Sequence, residues 1–189
     1  MQLDGLRVAV LVTDGYEPSE LTEPMTALRD AGADVTIVSN HDGTIKGKTD
    51  ADTATVDMTL AEAKPDAFGA LLLPGGVKNP DTMRQDEQGV AFVRAFNDAG
   101  KPIAAICHAP WLLVEADVVR GRRLTSYPSL KTDIRNAGGE WVDEEVVVDA
   151  GLVTSRTPKD IPAFNAKMIE EFAEGTHDRA PSAETAATR

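Results

Sequence analysis

The sequence predicts a flavodoxin-like three-layer α/β/α sandwich with a mostly parallel sheet. Two observations carry that reading. Short, nearly all-apolar β-branched runs recur along the chain, as strands buried on both faces require. Between them lie segments in which apolar residues recur at helical spacing and end at a glycine.

Leu6 to Val12 (LRVAVLV) is the first such strand. Glu20 to Ala31 follows as a helix, with Leu21, Met25 and Leu28 as its apolar stripe and Gly32 at the C-cap. Ala33 to Ser39 completes a β-α-β unit, whose right-handed crossover makes the two strands parallel. Asn40 to Thr55 is rich in Gly, Asp, Thr and Lys and reads as a loop with a small hairpin. Ala67 to Leu73 is the third buried strand and ends in Pro74-Gly75-Gly76. Glu87 to Ala99 is amphipathic through Val90, Phe92, Val93 and Phe96, and Gly100 closes it. Pro102 to Ile106 is the fourth strand, running directly into Cys107-His108. Helices are expected over Trp111 to Ala116 and Leu130 to Ala137, a hairpin over Glu144 to Ser155, and a last helix from Pro158 to about Ala173. The chain therefore divides into one domain over 1–173 and a tail over 174–189, which has no apolar face and reads as disordered.

Composition narrows the function. The 189 residues carry 19 Lys+Arg against 31 Asp+Glu, a net charge of −12. That balance argues against nucleic-acid binding, which needs a clustered positive face. The single dense basic cluster, Arg120, Arg122 and Arg123, is flanked by acids and reads as a solvated turn. No run approaches the ~20 apolar residues that span a bilayer, and the start does not read as a signal peptide. One cysteine permits no internal disulfide. A cytoplasmic protein is expected.

The chemistry concentrates beyond the carboxyl ends of the strands, where segments 13–20, 74–81 and 107–110 meet. Cys107 occupies a strand-turn-helix elbow, which exposes a nucleophile and places it at a helix start that favours thiolate. An inert, space-filling cysteine is the competing reading. His108 is its neighbour in sequence, and its ring is free either to meet the sulfur or to turn away. Pro74-Gly75-Gly76 offers backbone N–H groups that approach a substrate oxygen unobstructed, or else a plain tight turn. Glu17 and Glu20 bring carboxyl groups to the same end. A carboxyl beside a thiolate is tolerated when it is protonated and donates a hydrogen bond.

Taken together, VLVTDGYEPSELTEP, LLLPGG, KPIAAICHAPWLL and GRRLTSYPSLKTDIRNAGGEWVDEEVVVD resemble the ThiJ/PfpI superfamily from about Val8 to Phe172. The PfpI-type intracellular protease branch and its bacterial stress-protein relatives are the most similar. The resemblance implies that Cys107 is the nucleophile, His108 its adjacent histidine, Glu20 the carboxyl hydrogen-bonded to the sulfur and Glu17 the acid preceding it. It places the oxyanion hole at Gly76 and the His108 N–H, with Gly75 alongside and Tyr127 lining the pocket. Asp81 matches the Glu that a neighbouring subunit supplies in the protease branch, and is one methylene shorter. Glutamine amidotransferase domains of the superfamily use a late His-x-Glu. Ser155 to Asp160 contains no histidine, which disfavours that activity.

Three functions follow from the resemblance. The first is a cofactor-independent, metal-free thiol hydrolase acting on small carbonyl compounds or their protein adducts. The second is an intracellular cysteine peptidase completed by Asp81 of another subunit. The third is a non-enzymatic redox sensor or chaperone-like stress protein whose thiol is oxidised. The resemblance also implies a homo-oligomer, a dimer or a larger ring.

Overall fold

The computed structural model describes residues 1–178. In chain order the elements are β1 (Arg7–Leu11), α1 (Pro18–Asp30), β2 (Asp34–Ser39), β3 (Thr44–Lys46), β4 (Thr53–Thr55) and β5 (Met58–Thr59). Then come β6 (Ala70–Leu73), α2 (Lys78–Met83), α3 (Glu87–Asp98), β7 (Ile103–Ile106) and α4 (Pro110–Glu115). The chain continues through β8 (Arg123–Leu124), α5 (Lys131–Asn136), β9 (Glu140–Trp141), β10 (Val146–Asp149), β11 (Leu152–Ser155) and α6 (Ile161–Glu174).

Seven strands form one sheet in the order β10-β11-β7-β6-β1-β2-β5. Every pairing is parallel except β10 with β11, the expected hairpin. The apolar runs are explained by burial on both faces. In β1, Val8 and Val10 belong to one core with Leu21 and Leu28 of α1 and Phe164 and Phe172 of α6. Ala9 and Leu11 belong to the other, with Phe92 and Phe96 of α3 and Leu112 and Leu113 of α4. The β6 and β7 residues alternate in the same way, Leu72 and Ile106 to the first layer, Leu71 and Ile103 to the second. This is the expected three-layer sandwich.

From β1 the chain builds outward through β2, then returns to lay β6 and β7 on the other side of β1. The order reverses between β1 and β6, and the crevice beyond the carboxyl ends at such a reversal is where α/β sheets bind ligands. The segments after β1, β6 and β7 converge there.

Three local differences from the expected elements have physical causes. The third strand starts at Ala70 rather than Ala67, because Pro65 opens a 3₁₀ turn over Pro65–Ala67. Helix α2 is only six residues long, too short to show an amphipathic period, and its segment read as loop. At the far end, Glu174 closes α6, and the His177 N–H donates to the Gly100 carbonyl at 2.8 Å. The rest of the expected tail, 179–189, lies outside the described residues. Among the described residues, no helix is long and apolar enough to cross a membrane.

Candidate active site

The site is built on a backbone that its own residue does not favour. Cys107 follows β7 with φ of +64°, the left-handed region, which costs a side-chain-bearing residue roughly 1–2 kcal/mol. Neighbouring strands and loops hold it there. The Cys107 N–H donates to the Ser155 carbonyl at 3.0 Å, and its own carbonyl accepts the Tyr127 N–H at 2.8 Å. The reversal turns the thiol out of the sheet, into a cleft of 1310 Å³. Glu17, Glu20, Gly76, Cys107, His108 and Tyr127 all line that cleft.

His108 turns toward the sulfur: its Nδ1 lies 3.1 Å from Sγ. Its Nε2 lies 3.3 Å from the Ser129 hydroxyl. The imidazole stacks on Tyr127 with centroids 4.5 Å apart and meets Trp111 at 5.3 Å. Burial lowers its pKa below the ordinary 6.5, so at neutral pH the ring is uncharged and holds one proton to give and one lone pair to accept.

Glu20 comes from the first turn of α1 and is completely buried. Neither carboxyl oxygen has a neighbour in full hydrogen-bond geometry, although the thiol and the Gly75 and Gly76 N–H groups act on it. Its pKa is pushed up to about 7, by burial first, and further by the charge of Glu17, while the thiol and the two N–H groups oppose the rise. The thiol itself is pushed well up, by burial first and then by the charge and hydrogen bonding of Glu20, against the Gly76 and His108 N–H groups. Helix start and turn are present, but burial beside a carboxyl opposes ionisation. Sulfur and carboxyl act as a coupled pair, in which the charge of Glu20 opposes ionisation of the thiol.

The glycine pair divides its work. Gly75 sits behind the cleft, where a Cβ would lie 2.7 Å from the Cys107 Cβ and collide with the Glu20 carboxyl. Gly76 has φ of +82° and a Cβ there would strike the Gly15 carbonyl. Its N–H acts on both Glu20 and the Cys107 sulfur. Glu17, at the N-cap of α1, makes an ion pair with Lys48 at 3.5 Å. Asp81, which the resemblance assigns to a neighbouring subunit's site, does not line this chain's own cleft. It lies on α2, where it pairs with Arg84 at 3.1 Å, and Arg84 in turn lies over the Trp111 ring at 4.8 Å.

Several residues of the site escaped the sequence reading. The β3–β4 hairpin forms the opposite wall through Thr44, Lys46, Lys48, Thr49 and Asp50. It is anchored by Asp14, whose Oδ1 accepts the Lys46 N–H at 2.8 Å, and by the bridge between Tyr16 and Gly47. Ser129 and Asn79 are polar residues in short elements with no motif of their own, and only their contacts reveal them. Away from the cleft, Glu171, Glu174 and His177 bring potential metal-ligand atoms within 4.8 Å of one another. There His177 Nε2 faces the Glu171 carboxyl at 3.5 Å.

Residues 6–171 match the DJ-1/PfpI family. Protein/nucleic acid deglycase 2 of Escherichia coli is 48% identical over 165 residues, covering 86% of this chain and 95% of the relative. General stress protein 18 of Bacillus subtilis is 45% identical, covering 87% and 96%. Among solved structures, DJ-1beta of Drosophila melanogaster superposes with a TM-score of 0.82 at 34% identity, covering 89% of this chain and 90% of that one.

Proposed function

The chain belongs to the DJ-1/PfpI family, and from that premise we propose that it is a cytoplasmic, homo-oligomeric cysteine hydrolase of the stress response that acts on reactive carbonyls or their protein adducts. The names of its relatives, a deglycase and a general stress protein, support that class of activity. The observation that carries the reading is the left-handed Cys107 with an imidazole nitrogen 3.1 Å from its sulfur, beside the completely buried Glu20 carboxyl, whose pKa burial pushes up to about 7.

The chemistry is nucleophilic. Cys107 passes its proton to Glu20 or His108 Nδ1, and the thiolate attacks the aldehyde carbon of a 2-oxoaldehyde such as methylglyoxal. A C–S bond forms, the carbonyl π pair moves onto oxygen, and that oxygen takes a proton, giving a hemithioacetal. Where the substrate is an aminocarbinol on a protein, the C–N bond breaks and the amine leaves protonated. The Gly76 and His108 N–H groups are placed to hold the oxygen as charge develops. A proton then moves from the sulfur-bearing carbon to the adjacent carbonyl carbon by way of an enediol, and the hydroxyl proton passes to the second oxygen, both through His108 or Glu20, giving a thioester. Water hydrolyses the thioester, releasing lactate and the free thiol. The oxidation at one carbon balances the reduction at the next, so no cofactor is required.

A peptidase of the kind that the sequence resembles draws its third group from a neighbouring subunit, and Asp81 is engaged with Arg84 within this chain. The test runs wild type and Cys107→Ala in parallel on methylglyoxal and on a fluorogenic peptide. Lactate formation lost in the variant is the expected result. Equal methylglyoxal consumption by both proteins overturns the reading. Cys107-dependent peptide cleavage without lactate assigns the peptidase instead, and one oxidation per chain under mild peroxide without either turnover assigns the redox sensor.

A further inference from the structure

The two loops that carry the candidate groups meet at one buried amide. Asn79, on α2, is 2% exposed. Its Oδ1 accepts the Thr13 N–H at 2.8 Å, where the chain leaves β1 for the segment that carries Glu17 and Glu20. Its Nδ2 donates to the Pro74 carbonyl at 2.9 Å and to the Gly75 carbonyl at 3.0 Å. The partners fix the amide's orientation without ambiguity, because one N–H and two carbonyls surround it. The side chain spans from the end of β1 to the end of β6, across the reversal of strand order.

The Gly75 carbonyl belongs to the same peptide unit as the Gly76 N–H. Planarity of that unit makes the two groups antiparallel, so whatever holds the carbonyl also aims the N–H. Asn79 therefore grips, from behind the cleft, the peptide whose front face points at Cys107. Thr13 strengthens the anchor through its hydroxyl, which donates to Asn40 Oδ1 at 2.7 Å. Neither Gly75 nor Gly76 has room for a Cβ, so the turn lies directly against Glu20, Cys107 and the Gly15 carbonyl.

We propose that Asn79 is a positioning residue for the oxyanion site: by clamping the Pro74-Gly75-Gly76 turn to the β1 end, it aims the Gly76 N–H at the oxygen of a carbonyl under attack by Cys107. The inference rests on the thiol-addition chemistry proposed above, in that it needs an oxyanion, but not on methylglyoxal being the substrate.

The test compares two reactions of the same sulfur. Alkylation by iodoacetamide displaces iodide and develops no charge on an oxygen. Acylation by 4-nitrophenyl acetate forms a C–S bond, develops an oxyanion at the ester carbonyl, and expels 4-nitrophenolate with the electron pair of the broken C–O bond. The ratio of acylation to alkylation rate therefore isolates the oxyanion site and cancels any loss of folded protein or of thiolate. Asn79→Asp is nearly isosteric and turns the two donated hydrogen bonds into oxygen–oxygen repulsions. It is expected to lower the ratio at least about tenfold, short of the 10²–10³ that deleting a donor outright costs. Asn79→Ser is read by the same ratio and is expected to lower it as well. Being smaller, it lets water bond the freed carbonyls, and it serves where the Asp variant does not fold. Unchanged ratios in a folded variant overturn the role of Asn79 while leaving the hydrolase intact. A wild-type ratio no higher than that of free glutathione removes the oxyanion site itself, and both readings fall together.

Discussion

His108 Nδ1 lies 3.1 Å from the sulfur of Cys107, the residue immediately before it. Consecutive side chains usually diverge, and these two meet because Cys107 sits at φ of +64°. A close Cys–His pair is thus made from neighbours in sequence by one strained turn. The imidazole is oriented by neutral groups, the Ser129 hydroxyl and the face of Tyr127, rather than by a carboxylate. His108→Ala is expected to lower Cys107-dependent turnover about 100-fold, the low end for a general acid–base group. Because burial lowers the pKa of the ring, the wild-type rate is expected to show no imidazole titration between pH 7 and 9. Steady-state rates over that range check both statements.

Glu20 predicts how stability depends on pH. Its carboxyl ionises at about 4.5 in the unfolded chain and at about 7 when folded. Between those values the unfolded chain has lost a proton that the folded one retains. Stability from this group is therefore fully present below pH 4.5 and declines as pH rises to 7. Glu20→Gln has no such proton to lose. The stability of the variant relative to wild type is expected to rise from pH 4.5 to 8, by up to about 3 kcal/mol. Urea unfolding of both proteins at each pH measures it, and parallel curves would remove the buried-acid assignment.

The same carboxyl governs the thiol. Glu20 ionises at about 7, and its charge, after burial, opposes ionisation of the thiol. The iodoacetamide rate at Cys107 is expected to inflect near pH 7 in wild type, and Glu20→Gln is expected to abolish that inflection. Mass-spectrometric labelling rates from pH 5 to 9 show which behaviour holds.

Two glycines with opposite surroundings separate space from strain. At Gly75 an added Cβ meets Glu20, Cys107 and the Ile106 carbonyl, none of which can withdraw without moving the site. At Gly43, with φ of +83°, nothing lies within 4 Å. Gly43→Ala is expected to cost about 1 kcal/mol from backbone strain alone and to leave turnover near wild type. Gly75→Ala is expected to cost at least about 3 kcal/mol and to abolish Cys107 acylation. Thermal melts and active-site titration distinguish the two.

The fold was legible because its strands are buried on both faces. Runs such as Leu6–Val12 and Pro102–Ile106 have no other economical reading, and the glycine-ended helices between them fix parallel order. The candidate site was legible through residues adjacent in sequence, Cys107 with His108 and Gly75 with Gly76, together with a resemblance that singled out Glu20. What stayed hidden depends on distance. Nothing local says that Asn79 spans from β1 to β6, that Ser129 reaches the imidazole, or that the polar segment 44–50 folds back as a wall. At the thiol, local signals and surroundings pull apart: the elbow and helix start argue for ionisation, and the buried surroundings of Cys107 and Glu20 argue against it.

The wall itself predicts a response to pH. His41 Nδ1 lies 2.8 Å from the Asp42 carbonyl and Nε2 lies 3.0 Å from Asp14 Oδ2. Both partners only accept, so both contacts are made when the ring carries two protons. The Asp42 carbonyl and Asp14 together raise the pKa of His41 despite some burial. Asp14 is held low, against its own burial, by the Lys46 N–H, by His41 and by the charge of Lys78. Asp14 therefore links the imidazolium to the backbone of β3. The link is complete below the unfolded pKa of His41, near 6.5, and is lost as pH rises through the higher folded value. Protection of the Lys46 amide against hydrogen exchange, corrected for the intrinsic rate, is expected to fall a fewfold between pH 6 and 8.5, roughly the scale of one exposed ion pair. Asp14→Asn is expected to flatten that dependence, since the neutral amide neither raises the His41 pKa by charge nor holds the hairpin through a carboxylate. Equal protection at both ends of the range in wild type would show that the hairpin is held by the Tyr16–Gly47 bridge and its own strand pairing, with the His41–Asp14 contact a passenger on the surface.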